Sequence, residues 1–344
     1  MKKNVLFVIS GIAYSGAEKV LEDYIDHTNA INPFFVFYFP GTAYEKFKEK
    51  YKNVFLMNLK YNRFILAFFP NLYNKIVNKK LKFYVKDNDI QKVFFNNTLE
   101  GLLGYKYIRN YNESIYEIHD MSKTFKIFLK RYMIYRTIRI CNNTVTVSNA
   151  CCNSWKNKIK YVVYNGMSVN DERYLEKENI VTYIGNSTYR KGSDVCINTA
   201  KNVIKADRNI KFYMIFGDKI PNYEYPDNVI TLCNIDREKV YEILKISKIL
   251  FLPARNDPFP TVILEGQQYD NVIVANCVDG IPEMVPTNKF LSMTNSVEDY
   301  VNYILNIISM NSAEFNNNVE NQREFIKKFD INDKVEKFDN LILK

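Results

Sequence analysis

Two carboxylates, Asp257 and Glu265, stand eight positions apart in the stretch ARNDPFPTVILEG (254–266). Asp257 lies in a turn flanked by Pro258 and Pro260, and Glu265 interrupts the apolar run that starts at Thr261. A carboxylate inside such a run is costly unless something hydrogen-bonds to it or pairs with it, so Glu265 demands a partner. Upstream, in YIGNSTYRKGSDV (183–195), Arg190 and Lys191 precede a helical pattern whose expected N-cap is Ser193. Cations beside a helix N-terminus make a seat for phosphate oxygens, although an isolated Arg-Lys pair is more often a solvated surface feature. His119 closes the apolar run SIYEIH (114–119), where it either meets a ligand or simply satisfies a strand end. The loop SGIAYSGAEKV (10–20) offers Gly11 and Gly16, whose missing Cβ atoms permit close approach. That loop has neither G-x-G-x-x-G nor G-x-x-x-x-G-K-[ST] spacing, which removes support for a nicotinamide fingerprint or a P-loop.

The elements that must position these residues alternate between short apolar strands and helical patterns. Strands are expected at 4–10, 34–39, 92–96, 114–119, 143–148 and 161–165, then at 180–185, 210–217, 228–233, 248–253 and 271–276. Continuous rather than alternating apolar runs imply sheets covered on both faces, hence an α/β protein with two doubly wound domains. The polar stretch NGMSVNDERYLEKEN (165–179) marks the seam. The expected organisation is 1–165, 166–320, and a helical tail at 321–344. Hydrophobic residues make up 47% and charged residues 25%, the balance of a folded chain. No apolar run approaches the roughly 20 residues of a membrane span, and VLFVIS (5–10) is too short for a signal-peptide core. Six cysteines without C-x-x-C spacing read as reduced, small hydrophobes of a cytoplasmic protein.

Charge is uneven. Residues 1–165 hold 26 Lys and Arg against 12 Asp and Glu, whereas residues 166–344 hold 21 against 26. A basic half attracts nucleic acid, an anionic membrane or a phosphorylated acceptor. Nucleic acid is disfavoured, because no helix-turn-helix, zinc-ligand or RNP-like pattern is present. The segment KTFKIFLKRYMIYRTIRI (123–140) has six cations, no acid and interleaved apolar residues. It reads as an interfacial helix on the inner face of the cell membrane, or as a scaffold helix with solvated cations.

In order along nearly the whole chain, these motifs resemble the group 1 (family four) retaining glycosyltransferases of bacteria, which have the GT-B fold. SGAEKVLEDYI is similar to the family's G-G-A-E loop and helix, YEIHD to its strand ending in histidine, and VVYNGMSV to its "NGvd" segment. DPFPTVILEGQQYDNVIVANCVDGIPEMV resembles the E-x7-E segment and the "gG.pE" that follows it, with Asp257 and Glu265 as the two acids. The resemblance implies two Rossmann-like domains facing each other across a cleft, the first binding an acceptor and the second a nucleotide sugar, with the tail packing back on the first. It implies catalytic roles for His119, Lys191, Asp257 and Glu265. Donor contacts would come from Gly16, Gly185, Arg190 and Lys191, and from Phe259, Thr261, Val262 and Glu265. Asp257 would reach the sugar, the amides of Thr261 and Val262 the diphosphate, and Glu265 the ribose hydroxyls, whose two donors would satisfy it.

The implied reaction transfers a hexose-type sugar from a UDP- or GDP-type donor to an acceptor hydroxyl. It retains the anomeric configuration and uses no cofactor and no metal, the leaving diphosphate being held by Lys191. The implied setting is surface-polysaccharide or lipid-linked glycan assembly. Departures from the family pattern are Asn186 in place of an arginine, Pro260 in place of a glycine, and Asp257 in place of a glutamate. A non-catalytic GT-B-like subunit of a glycan assembly complex is the alternative reading.

Overall fold

The computed structural model describes residues 2–344, which divide into two compact units. One takes in the chain up to Met167 together with Ile331–Lys344, and the other is Ser168–Asp330.

The first unit is built on seven parallel strands: β1 (Lys3–Ile9), β2 (Ile31–Phe37), β3 (Val54–Leu56), β4 (Lys92–Phe95), β5 (Ser114–Ile118), β6 (Asn143–Thr146) and β7 (Tyr161–Val162). Their spatial order is β3-β2-β1-β4-β5-β6-β7. Both faces of the sheet are buried, as its continuous apolar strands require. Val5, Phe7 and Ile9 enter one core with Phe35 and Phe37, while Leu6 and Val8 enter the other with Val36 and Tyr38. The returning helix Ile331–Leu343 completes the first core with Phe338, Leu341 and Ile342. It is pinned at its end by Lys3 Nζ, which donates to the Leu343 carbonyl at 2.7 Å, and by Tyr24, whose hydroxyl donates to Asp339 at 2.7 Å.

The second unit has six parallel strands: β8 (Glu178–Gly185), β9 (Lys211–Phe216), β10 (Val229–Cys233), β11 (Ser247–Leu252), β12 (Val272–Asn276) and β13 (Leu291–Ser292). Their order is β10-β9-β8-β11-β12-β13. In each sheet the order reverses beside the first strand, between β1 and β4 and between β8 and β11. At such a switch point the loops leaving the carboxyl ends diverge and leave a crevice. The edge strands β3 and β13 have only three and two residues, too short to show a pattern in the sequence.

The tail expected at 321–344 divides. Helix Ser312–Ile326 stays with the second unit, and only Ile331–Lys344 returns to the first. The cause is Arg323, buried to 6% exposure on that helix. Its Nε donates to Asp270 Oδ1 at 2.5 Å, and its terminal nitrogens donate to the carbonyls of Asn170 at 3.0 Å, Gln268 at 2.9 Å and Glu172. One guanidinium thus ties the segment entering the unit to the end of helix Thr261–Gln268. Removing one partner of a buried ion pair strands the other charge, at a cost of about 3–5 kcal/mol. Arg323→Met should therefore lower the urea midpoint strongly, and adding Asp270→Asn should restore part of the loss.

Candidate functional site

In the second unit, the loops leaving β8 and β11 cross in contact. The β8 loop turns at Gly192, at φ 74°, where an added Cβ would lie 2.0 Å from the Pro253 carbonyl oxygen. Only glycine permits both the angle and the approach. Gly192, rather than the expected Ser193, is thus the N-cap of helix Ser193–Ala206, and Ser193 is its first residue. Arg255 then clamps the two loops. Its amide donates to the Arg190 carbonyl at 2.8 Å, and its guanidinium grips Asp194 through two bonds of 2.7 Å while lying 3.8 Å from the Tyr189 ring centroid. Those bonds hold the Asp194 carboxyl below its ordinary pKa.

This clamp brings Lys191 and Asp257 together, with Lys191 Nζ 2.6 Å from Asp257 Oδ2 and both side chains largely buried. The Asp257 turn is held from behind by Asp279, whose Oδ2 accepts the Asp257 amide at 3.0 Å. Four residues beyond Asp257, helix Thr261–Gln268 begins. The amides of Thr261 and Val262 open it and have no carbonyl one turn earlier to bond, so they remain available to an anion. Glu265, 7% exposed, lies one turn inside the helix, and its Oε1 is 3.4 Å from Arg237 Nη2 on helix Arg237–Ile246. A lysine, helix-terminal amides and a buried carboxylate therefore follow one another beyond the ends of adjacent strands. The set can hold a phosphorylated ligand at one end and a hydroxylated one at the other.

Other expected residues fall nearby with different surroundings. Gly185 ends β8, and Asn186 follows it, exposed. Arg190 is also exposed, and its Nη1 donates to the Asn256 carbonyl at 3.3 Å. Phe259 is buried with its ring edge-on to Phe329.

In the first unit, Gly16 starts helix Gly16–His27, whose cap is Ser15 with its amide donating to Glu18 at 2.9 Å. Gly11 makes the tight turn of that loop, at φ 93°. His119 follows β5 with its Nε2 at 3.1 Å from Glu117 Oε2. Burial opposes charge on the imidazole, but Glu117 outweighs it and holds the pKa above the ordinary histidine value. Lys334, from the returning helix, is buried beside this pair and donates to Asn165 Oδ1 at 3.2 Å. Burial pulls its pKa down to about 8. Placing a cation there takes the tertiary return of the chain, which no local pattern announces.

A second feature of this unit has a weak local signal. Beyond β1 and β4 lies a cavity of about 140 Å³, lined in part by Ser10, Thr98, Glu100, Asp120 and Lys130. Glu100 is 1% exposed, with Oε1 accepting the Ser10 amide at 2.6 Å and Oε2 lacking a hydrogen-bond partner among the described residues. Thr98 Oγ1 and the side-chain amide of Asn96 are buried and, among the same residues, unpartnered too. Glu100 interrupts TLEGLLG (98–104) much as Glu265 interrupts its own run, so the same sequence signal could have found it.

Residues 169–328 match the family model of glycosyl transferases group 1. An uncharacterized 41.2 kDa protein in the cps region of Klebsiella pneumoniae is 29% identical over 186 residues, covering 49% of this chain and 50% of that protein. An uncharacterized glycosyltransferase of Methanocaldococcus jannaschii is 30% identical over 181 residues, 49% of each chain. The chain thus spans about half the length of the curated relatives it matches. HepE of Anabaena, solved in complex with UDP, superposes with a TM-score of 0.79 at 14% identity over 100% of both chains. At that identity the likeness shows the fold, two Rossmann-like parallel-sheet domains of the GT-B class. Residues 169–328 thus carry a likeness to group 1 glycosyl transferases, and the whole chain a likeness in fold.

Burial, followed by the charge of Glu18, pushes the Glu100 pKa up to about 8. A carboxyl whose folded pKa is raised favours the folded state below its unfolded pKa, and that stability is lost as pH rises through the folded value. Melting temperatures of the native chain and Glu100→Gln should thus be similar near pH 5 and diverge by pH 8–9. There the native chain should melt several degrees lower, as differential scanning fluorimetry across pH will show.

Proposed function

We propose that this protein is a retaining glycosyltransferase that moves a hexose-type sugar from a nucleotide-diphosphate donor to an acceptor hydroxyl without a metal ion. The observation that carries the reading is the sequence of groups along the second unit, with Lys191 on Asp257, the Thr261 and Val262 amides, and buried Glu265. It lies within the residues that match the group 1 model. In this reading the diphosphate takes the lysine and the two amides, and the ribose hydroxyls donate to Glu265 beside Arg237. Asp257, relieved of Lys191 by the phosphates, accepts from a hydroxyl of the donor sugar.

The acceptor oxygen forms a bond to the anomeric carbon as the bond from that carbon to the phosphate oxygen breaks. The leaving diphosphate keeps the electron pair, and the acceptor proton passes to it or to water. Lys191 and the helix amides stabilise the charge that develops on the diphosphate, the preorganised electrostatic contribution that dominates such reactions. On the first unit, the cavity lined in part by Glu100 and Thr98 suits a polyhydroxyl acceptor, whose hydroxyls would satisfy these two groups. His119 is assigned to the donor-sugar side, as the motif implies. HepE, solved with UDP and also with UDP-glucose, supports a uridine donor. The relative in a cps region fits a role in polysaccharide assembly.

A nucleotide that binds only the folded chain raises its melting temperature. UDP should do so with EDTA present, more than CMP, and Lys191→Ala and Glu265→Ala should each abolish the shift while remaining folded, the lysine variant with a lower melting temperature of its own. Incubation with UDP-hexoses and a glycan acceptor should then release UDP and give a product whose anomeric proton shows the donor's configuration. If no nucleotide diphosphate stabilises the chain, the catalytic reading fails in favour of a non-catalytic subunit of a glycan assembly complex.

A further inference from the structure

Three helices of the first unit carry apolar residues on both sides. Helix Asn71–Asp87 buries Tyr73, Val77 and Leu81, spaced four apart, against the sheet. Its opposite side presents Leu72, Ile76 and Phe83 to solvent at 62%, 49% and 65% exposure. Positions 72, 76 and 83 share one stripe of an α-helix, so this is a second apolar face rather than scatter. Helix Phe128–Ile140 repeats the arrangement, with Ile134 and Ile138 buried while Phe128, Leu129 and Tyr132 are exposed at 72%, 51% and 49%. The short helix Arg63–Phe68 packs against it and, with the residue that follows, adds exposed Phe64, Phe68 and Phe69. Single exposed apolar residues need no explanation, but a cluster of nine on adjoining helices marks an interaction surface.

The charge of that surface selects its partner. Residues 60–86 carry seven Lys and Arg, residues 123–140 carry six, and neither stretch contains an Asp or Glu. Lys75, Lys79, Lys82 and Arg131 are exposed among the apolar side chains. We propose that these three helices form a membrane-docking face, whose aromatic and aliphatic side chains enter the headgroup boundary of an anionic bilayer while its lysines and arginines meet the lipid phosphates. This is the pattern of an interfacial amphipathic surface, on which apolar burial and attraction to anionic lipid add. A second copy of the chain is a poor occupant, because a self-complementary contact would press cations against cations. Single-stranded nucleic acid would use the rings but not Leu72, Ile76 or Leu129, which have no face for a base to stack on. Among the described residues no helix is long and apolar enough to cross a membrane, and the proposed contact lies at the surface. It extends well beyond 123–140 and does not depend on the donor site.

Sedimentation with large vesicles tests it. The full chain should pellet with phosphatidylcholine vesicles containing about one third phosphatidylglycerol, and at least about tenfold less with phosphatidylcholine alone, with release at high salt. Leu72→Ser/Phe83→Ser/Phe128→Ser should lose about tenfold or more of the partition coefficient, as should Lys75→Glu/Lys79→Glu. Because these side chains are exposed, both variants should keep the native melting temperature and the UDP-induced shift. The proposal is overturned if native chain ignores the anionic vesicles or binds both kinds alike. It is also overturned if the serine variant turns a dimer into a monomer on size exclusion, or if an oligonucleotide displaces the chain from the vesicles.

Discussion

The approach of Gly192 to the carbonyl of Pro253 is the contact on which the second unit's candidate site depends. Parallel strands diverge in connectivity beside β8, and the loops beyond β8 and β11 would otherwise be free to lie apart. A side chain at position 192 would hold them apart, since its first carbon would overlap the Pro253 oxygen. With the backbones in contact, Arg255 can clamp Asp194, and Lys191 can reach Asp257 at 2.6 Å. The turn then delivers the chain into helix Thr261–Gln268 with its first amides at the same crevice. A backbone constraint thus sets the position of the charged groups around the turn.

The two units treat buried carboxylates differently. In the second, the buried acids of the site and its frame each have a cation close by, Lys191 for Asp257, Arg237 for Glu265 and Arg323 for Asp270. Such pairing offsets the cost of burying each carboxylate and leaves oxygens able to accept from hydroxyl donors. In the first unit, Glu100 has no cation bonded to it among the described residues, and burial with the nearby Glu18 favours its neutral form. A neutral carboxyl both donates and accepts, as a polyhydroxyl ligand does. The Glu117–His119 pair is intermediate, with Lys334 supplied by a helix from the far end of the chain.

That returning helix also shows why the division of the chain is not a single cut. Phe338, Leu341 and Ile342 complete an apolar core laid down by the first strands, while the preceding helix is fastened by Arg323 to the other unit. The seam between the two fates is a few residues near Asp330. Composition there does not change. Only the partners available to each helix decide where it belongs.

Residue order by itself determined the longer strands but not the short edge strands β3 and β13, because an unbroken apolar run buried on two faces is a local property with a local signature. It also determined the turn and helix that carry Asp257 and Glu265, since proline and a lone acid in an apolar run are visible without a partner. The tertiary structure alone decided what those acids meet. Arg237 lies on a different helix upstream of Glu265, and among the other buried acids Asp270 meets Arg323 far downstream and Glu117 lies near Lys334 of the returning helix, so no short window of sequence contains both members. The outward apolar faces were legible in part. The cations and interleaved apolar residues of 123–140 already read as an interfacial or a scaffold helix, and only its seat against the sheet shows which apolar side chains are left facing solvent.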